Sequence, residues 1–369
     1  MSSSSSSLSF AKRCRHQLKT KVKTSLQRCC GMKSWRFAAV VLCALYIIVS
    51  GNFNKDSRKD VVITAILPTT ARQLDFARAG LLTCGDVLTP ENGIRDVIYV
   101  VPKQDIRTFE DQLPRTRVNS RIVAEDDFVP ELSGRPWPGA HKQQIIKLLS
   151  YRQTSSTHIL FLDSDTMCSP KWTQQRLSKQ NFVRSFVTHS WFSKPRVRVC
   201  LQSTEIWFGR RQYERTALHW HIPLEYKFVM GWTPQLLSAD ALKHAVEHLM
   251  SVRNVDLQGL FFKEPSYDWT EYATYFLSLK HAGLWRQYHY DEQHDLDIDG
   301  GRFGVETQIP GCLHVRVNSV DSFRRVVDED ALVPMIMLDD HKINSSDVVI
   351  VAQNFVHDHR DRSRTLSRF

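Results

Sequence analysis

No acidic residue occurs before Asp56, whereas the first fifty positions carry nine basic ones: Lys12, Arg13, Arg15, Lys19, Lys21, Lys23, Arg28, Lys33 and Arg36. The chain of 369 residues has a formal charge of +10, yet beyond that tail 40 basic side chains face 39 acidic ones. The remainder therefore lacks the basic excess of a nucleic-acid binder, and no nucleic-acid partner is expected. The eight cysteines include no CxxC pair and no Cys/His zinc spacing, which excludes the common structural zinc modules. No internal repeat is present, so a solenoid is excluded too.

Long apolar runs are scarce as well. One, Phe37–Val49, follows the basic tail directly; counted from Trp35 it spans about seventeen residues, the short end for a membrane helix. Its positive flank lies on the N-terminal side, so the tail should stay cytosolic and the rest should cross, as in a type II signal anchor. A short span suits the thinner membranes of the ER or Golgi. The alternative is a cleaved signal peptide, for which Val49-Ser50-Gly51 is a weak cleavage match. On the anchor reading, residues 1–34 are a tail, 35–53 the membrane helix, 54–59 a stem, 60–341 the luminal domain and 342–369 an extension. Cys29-Cys30 would then be an acylation candidate near the membrane. Cys84, Cys168, Cys200 and Cys312 would be luminal, where disulfides are permitted, with three pairings open. Asn344-Ser345-Ser346 is a glycosylation triplet.

From Asp60 the pattern alternates between strand and helix. Val61–Leu67 reads as a buried strand, and Thr69 or Thr70 can cap a helix showing Leu74, Ala77, Leu81 and Cys84 on one face. Val97–Val101 and Arg121–Ala124 read as strands, and Gln143–Tyr151 as a helix leading into another strand at Ile159–Leu162. Further on, Phe182–Thr188, Glu225–Trp232 and Cys312–Val317 read as strands, and Gln235–Met250 and Thr270–Ala282 as helices. This order predicts an α/β fold with a mixed, mostly parallel sheet flanked by helices.

Within that order, Ile159–Leu162 runs into Asp163-Ser164-Asp165. A strand buried on both faces thus presents two carboxylates at its carboxyl end, where open α/β sheets bind ligands. Carboxylates one residue apart suit a hard divalent cation, which takes its other ligands from substrate phosphates. The structural alternative is a turn in which Asp, Ser and Asp satisfy backbone groups.

The segments VVITAILPTT, QQIIKLLSYRQTSSTHILFLDSDT, GWTPQLLSADAL and YDWTEYATYF, in this order, resemble the GT-A class of nucleotide-sugar glycosyltransferases, from about Val61 to Val317. The resemblance implies a GT-A-like, Rossmann-related domain with a nucleotide-sugar donor and a glycan, glycoprotein or glycolipid acceptor. It implies Mn²⁺ (or Mg²⁺) on the DxD pair, with Asp165 the firmer ligand and Asp163 on the ribose or a metal-bound water. It places Thr69 at the end of the opening nucleotide-binding strand, and makes His314 the candidate late ligand, since imidazole suits Mn²⁺ better than Mg²⁺. Glu271 or Asp268 would serve as the base for the acceptor hydroxyl or grip the acceptor. Against this, Asp268 can be a helix N-cap with Glu271 its capping-box partner. Lys147, on the helix before the DxD strand, reads either as a phosphate contact or as part of a solvated face. Gly231-Trp232 reads as acceptor wall or core.

Asp295–Glu306 satisfies the EF-hand loop pattern, but Arg302 and the following Pro310-Gly311 oppose a standard EF-hand. An acidic, glycine-hinged loop bordering the site is the preferred reading. Two rival functions stand. LFLDSDT also matches the opening of haloacid-dehalogenase-like phosphatases, with Asp163 as nucleophile and Ile336–Asp340 as the later acidic pair. A non-catalytic relative that binds glycans or nucleotides is the other.

Overall fold

The computed structural model describes residues 61–114, 116–168, 186–188, 195–198, 201–203, 207–224, 228–230, 233–263, 265–290, 314–317, 335–338, 347 and 349. The side chains of 188, 198, 201–203, 207–209, 228–229, 290, 314–317 and 335–338 are outside that description. All described residues belong to one unit, Asp60–Phe369. Among them no helix is long and apolar enough to cross a membrane. The expected anchor at 35–53, the loop Asp295–Glu306 and Asn344 lie outside the described residues.

In chain order the strands are β1 (Ile63–Pro68), β2 (Ile94–Val101), β3 (Asn119–Ala124), β4 (His158–Phe161), β5 (Thr166–Cys168), β6 (Val187–Thr188), β7 (Arg196–Arg198), β8 (Leu201–Ser203), β9 (Phe228–Met230), β10 (Gln235–Ser238), β11 (His289–Tyr290), β12 (His314–Val317) and β13 (Met335–Leu338). The long helices are α1 (Leu74–Cys84), α2 (Gly139–Leu149), α3 (Trp207–Trp220), α4 (Ala239–Arg253) and α5 (Glu271–His281).

The main sheet has the order β10-β4-β1-β2-β3; β4, β1, β2 and β3 are parallel and β10 closes the edge antiparallel. β1, β4, β10 and nearly all of β2 are buried on both faces, which is why their centres are apolar runs, whereas the edge strand β3 is largely exposed and begins with polar residues. Ala65, Leu67, Val97, Tyr99, Leu160 and Leu236 turn toward α1. Ile66, Ile98, Val100, Ile159, Phe161 and Leu237 turn toward α2, α3, α4 and α5. The chain lays down β1, β2 and β3 outward and then returns to place β4 on the other side of β1. That reversal makes a topological switch point between β1 and β4, and open α/β sheets bind ligands in the crevice beyond the carboxyl ends of such strands; Thr69 and Asp163 follow β1 and β4 there.

One expected helix divides in two. Gln235–Ser238 is strand β10, with Leu236 opposite Leu160 and Leu237 opposite Ile159. Leu236 and Leu237 face opposite sides and are both buried, a demand only a covered strand meets. The helix starts after Ser238, whose side chain accepts from the Ala241 N–H. Nor does either threonine cap the first helix by its side chain: Thr70 makes no cap bond, and Thr69 is buried. Helix α3 was not foreseen; its Tyr213, Ala217 and Trp220 enter the same core as α5.

Helix α1 is pinned to β5, the strand that leaves the DxD turn. At Gly80 an added Cβ would lie 2.6 Å from the Thr166 carbonyl oxygen. One turn on, Thr83 Oγ1 accepts from the Cys168 N–H at 3.1 Å. Cys84 and Cys168 form a disulfide, with Cys200 and Cys312 outside the described residues. β5 in turn pairs with β13, and β13 with β12, so a second sheet grows directly from the turn.

Replacing Gly80 by Ala is expected to destabilise the protein by up to about 2 kcal/mol, because a Cβ meeting backbone at 2.6 Å puts overpacking at the upper end of its range of about 1–3 kcal/mol, against a gain of about 1 kcal/mol in helix propensity. A lower urea midpoint at unchanged m-value checks it. A pH effect is expected at β11. His289 is buried there, its Nδ1 beside the Val197 carbonyl and its Nε2 beside the Tyr275 hydroxyl, and burial pushes the imidazole down to about 3. Below the ordinary histidine value of 6.5 the unfolded chain takes up a proton that the fold refuses. Stability is thus complete above that value and falls by about 1.4 kcal/mol per pH unit toward the folded value. His289→Gln should remove one proton from the slope of unfolding free energy between about pH 6 and pH 4.

Candidate active site

Alternation along β4 carries Asp163 to the face covered by α2 and α5, and there it meets Lys147. The Lys147 amine is buried and donates to Asp163 Oδ1 at 2.9 Å, Glu271 Oε1 at 3.0 Å and Thr233 Oγ1 at 3.1 Å. These three acceptors use all three N–H bonds of an ammonium. The Tyr272 hydroxyl extends the cluster to Thr233 at 2.8 Å, and the Lys147 amine stands 5.2 Å from the Tyr272 ring centroid. Burial works against the charged amine, but Asp163, Tyr272 and Glu271 outweigh it and hold Lys147 well above the ordinary lysine value. Burial pushes the Tyr272 phenol up, against the pull of Lys147. One ammonium serving two carboxylates leaves this triad with one net negative charge.

Each partner is delivered by local structure. In the turn after β4, the Asp163 N–H donates to Thr166 Oγ1 at 3.2 Å and the Thr166 N–H to the Asp163 carbonyl at 3.0 Å. Ser164 is buried in that turn, while Asp163 and Asp165 are half-buried. At α5 the N-cap is Thr270, whose side chain accepts from the Ala273 N–H. The capping box expected between Asp268 and Glu271 therefore does not form. Glu271 enters the first turn, where the helix dipole favours an anion and its side chain reaches Lys147. Asp268 is exposed, its backbone N–H on Ser266 Oγ, and stands outside the cluster.

Thr69 is buried at the end of β1, and among the described residues its hydroxyl has no hydrogen-bond partner. The Tyr99 hydroxyl, on the same face of the sheet, is likewise buried without a partner. His314 begins β12; its register runs through Met335 of β13 to Cys168 of β5, three residues beyond Asp165. Its side chain, and Gly231-Trp232, lie outside the described side chains. Among the described residues no three His, Cys, Asp or Glu side chains are arranged to hold a metal by themselves. Thr233 and Tyr272 were not singled out as site residues, although the quoted GWTP and WTEY segments contain them; a polar residue beside a buried aromatic was the only local signal.

The class is a mixed α/β protein with a mostly parallel sheet and a polar cluster at its topological switch point. The chain belongs to a family of unknown function, DUF6492, whose model matches residues 60–300. No curated protein matches it. Solved structures similar to it include the galactosyltransferase LgtC in complex with donor and acceptor sugar analogs, at 8% identity and TM-score 0.39, covering 79% of this chain and 95% of that one. Mouse xyloside xylosyltransferase 1 in its apo form aligns at 10% identity and TM-score 0.38, over 77% of this chain and 99% of that one. The glycosyltransferase GlyE of Streptococcus pneumoniae TIGR4 aligns at 8% identity and TM-score 0.36, over 82% and 64%.

Lys147→Met should destabilise the protein on the order of 3 kcal/mol, since it leaves two partly buried carboxylates facing each other without their cation. Adding Glu271→Gln should recover part of that loss. Additive losses in the double variant, read by urea unfolding, would deny the coupling.

Proposed function

We propose that this protein is a nucleotide-sugar-dependent glycosyltransferase whose site lies at the crevice beyond β1 and β4. The observation that carries the reading is Lys147, which joins the first DxD carboxylate to Glu271 at the start of α5. A turn that merely satisfied its own backbone would not require a buried lysine and a second carboxylate from another helix. The orphaned hydroxyls of Thr69 and Tyr99 support a polar ligand group near the end of β1, where the nucleotide would lie.

The residues present fit a hard divalent cation. The donor set at the turn is two carboxylates, Asp163 has only one oxygen engaged by Lys147, and the triad keeps negative charge. Asp163 and Asp165 would hold Mn²⁺ or Mg²⁺, with His314 a candidate third ligand. When bound, such an ion offsets the charge that builds on a leaving diphosphate.

The chain's own residues supply orientation and a proton acceptor. Lys147 fixes Asp163 and Glu271 against each other. Glu271 has Oε1 on Lys147 and keeps Oε2 for the acceptor hydroxyl, which needs a carboxylate within hydrogen-bond reach as base. Tyr272, packed 6.5 Å from Phe161 between ring centroids, walls the cluster from the core. Phe37–Val49 would anchor the chain as a single-pass type II protein of the Golgi or ER membrane. The Cys84–Cys168 disulfide supports an oxidising, luminal location.

Purified protein should release a nucleotide from one member of a nucleotide-sugar panel in the presence of Mn²⁺. Asp165→Asn and Glu271→Gln should each lower turnover by about 100-fold or more, as expected for a lost metal ligand or base. Hydrolysis of simple phosphomonoesters in place of nucleotide sugars would overturn the reading in favour of a phosphatase.

A further inference from the structure

Away from the crevice, α4 and α5 bring two histidines together. His248 Nε2 and His281 Nδ1 stand 2.9 Å apart, with ring centroids 5.1 Å apart and planes inclined at 65°. His248 is half-buried on α4 and His281 is the exposed last residue of α5. A hydrogen bond between one protonated and one bare ring nitrogen explains the distance. So does a metal ion. Two metal–nitrogen bonds of about 2.0–2.1 Å meeting at a right angle set their nitrogens about 2.9 Å apart, whereas a tetrahedral angle spreads them to about 3.3–3.4 Å.

We propose that His248 and His281 form a two-imidazole site for a divalent first-row transition ion of tetragonal or octahedral preference, Cu²⁺ or Ni²⁺ ahead of Zn²⁺. Because no third His, Cys, Asp or Glu is placed to join them among the described residues, water completes the coordination. Exposure at His281 gives the ion its entry.

The surroundings suit a cation. One turn earlier on α4, His244 lies 3.6 Å from Asp240 and 3.6 Å from Glu247, carboxylates that favour positive charge along this stripe. The adjacent Lys280 turns its amine over the Trp285 ring, 4.7 Å from the centroid. An ion here ties the last residue of α5 to α4. The other end of α5 carries Glu271 and Tyr272, so the clip acts on the helix that bounds the crevice.

The test uses full-length protein stripped with chelator and retitrated with Ni²⁺, which does not oxidise thiols. One equivalent should raise the thermal midpoint by about 3–5 °C, the scale expected for ligand binding to the folded state alone. The shift should vanish in His248→Ala and in His281→Ala, both partly or wholly exposed positions, and persist in His244→Ala. Cu²⁺ electron paramagnetic resonance at one equivalent should show two nitrogen ligands in the wild type and one in either variant. No shift, or a shift that survives both substitutions, would overturn the proposal. Loss in His244→Ala with retention in His281→Ala would overturn it too, by placing the ion on the i,i+4 pair of α4 alone.

Discussion

The buried ammonium of Lys147 is the interaction on which the site depends. An isolated charge at that depth would be untenable, and a lone lysine would shed its proton. Three acceptors within 3.1 Å, two of them carboxylates, reverse that outcome. The acceptors come from the turn after β4, the segment before β10 and the first turn of α5, so the requirement to solvate one amine fixes three chain segments to α2. Breaking such a cluster at one member costs more than any surface ion pair, because the remaining charges stay where water reaches them poorly.

The opposite side of the DxD turn is held differently. There α1 offers no charge; it offers closeness at Gly80, a hydroxyl at Thr83 and a covalent link at Cys84. These contacts lie on one helix over little more than a turn and meet Thr166 and Cys168 in order. The turn is therefore clamped between a polar cluster on the α2–α5 side and a steric and covalent one on the α1 side. Asp163 points into the first, and the backbone leaving Asp165 is secured by the second. The turn's own Asp163–Thr166 hydrogen bonds are thereby backed from both sides.

Much of this was legible in the sequence, and the gaps have physical causes. β1, β2 and β4 are apolar runs ending in Pro68, Pro102 and Asp163, so both burial and termination could be read. β10 was not separated from the helix after it, because four residues are too few to show a period of their own; Leu236 and Leu237 fall off the face that Leu242, Ala245, Val246 and Leu249 share, and the Ser238 cap marks the boundary. The segment Asp268–Glu271 was legible as a helix start but not in register. Two overlapping cap patterns exist, one from Asp268 and one from Thr270; the structure takes Thr270, and the register it sets leaves Glu271 free of the cap and on Lys147. Lys147 itself was recognised as a candidate, but its partners were not, since sequence does not record which side chains meet across 86 or 124 residues.

That meeting also constrains what Lys147 does if the proposed reaction is correct. All three of its N–H bonds are committed, so direct contact with a phosphate requires the loss of Asp163, Glu271 or Thr233 as a partner. Exchanging Asp163 or Glu271 would trade one charged acceptor for another and free a carboxylate beside the incoming diphosphate, and exchanging the neutral Thr233 would set the diphosphate beside both carboxylates; like-charge repulsion opposes either. With Lys147 left in place, the triad still presents net negative charge to the crevice. A diphosphate entering there needs its counter-charge from elsewhere. In the proposed reaction Asp163, with one carboxylate oxygen outside the cluster, and Asp165 would recruit it as a divalent cation. Lys147 is thus the fixed counter-ion that sets the geometry of Asp163 and Glu271, and in the proposed reaction the substrate's charge would be met by an ion rather than by the lysine.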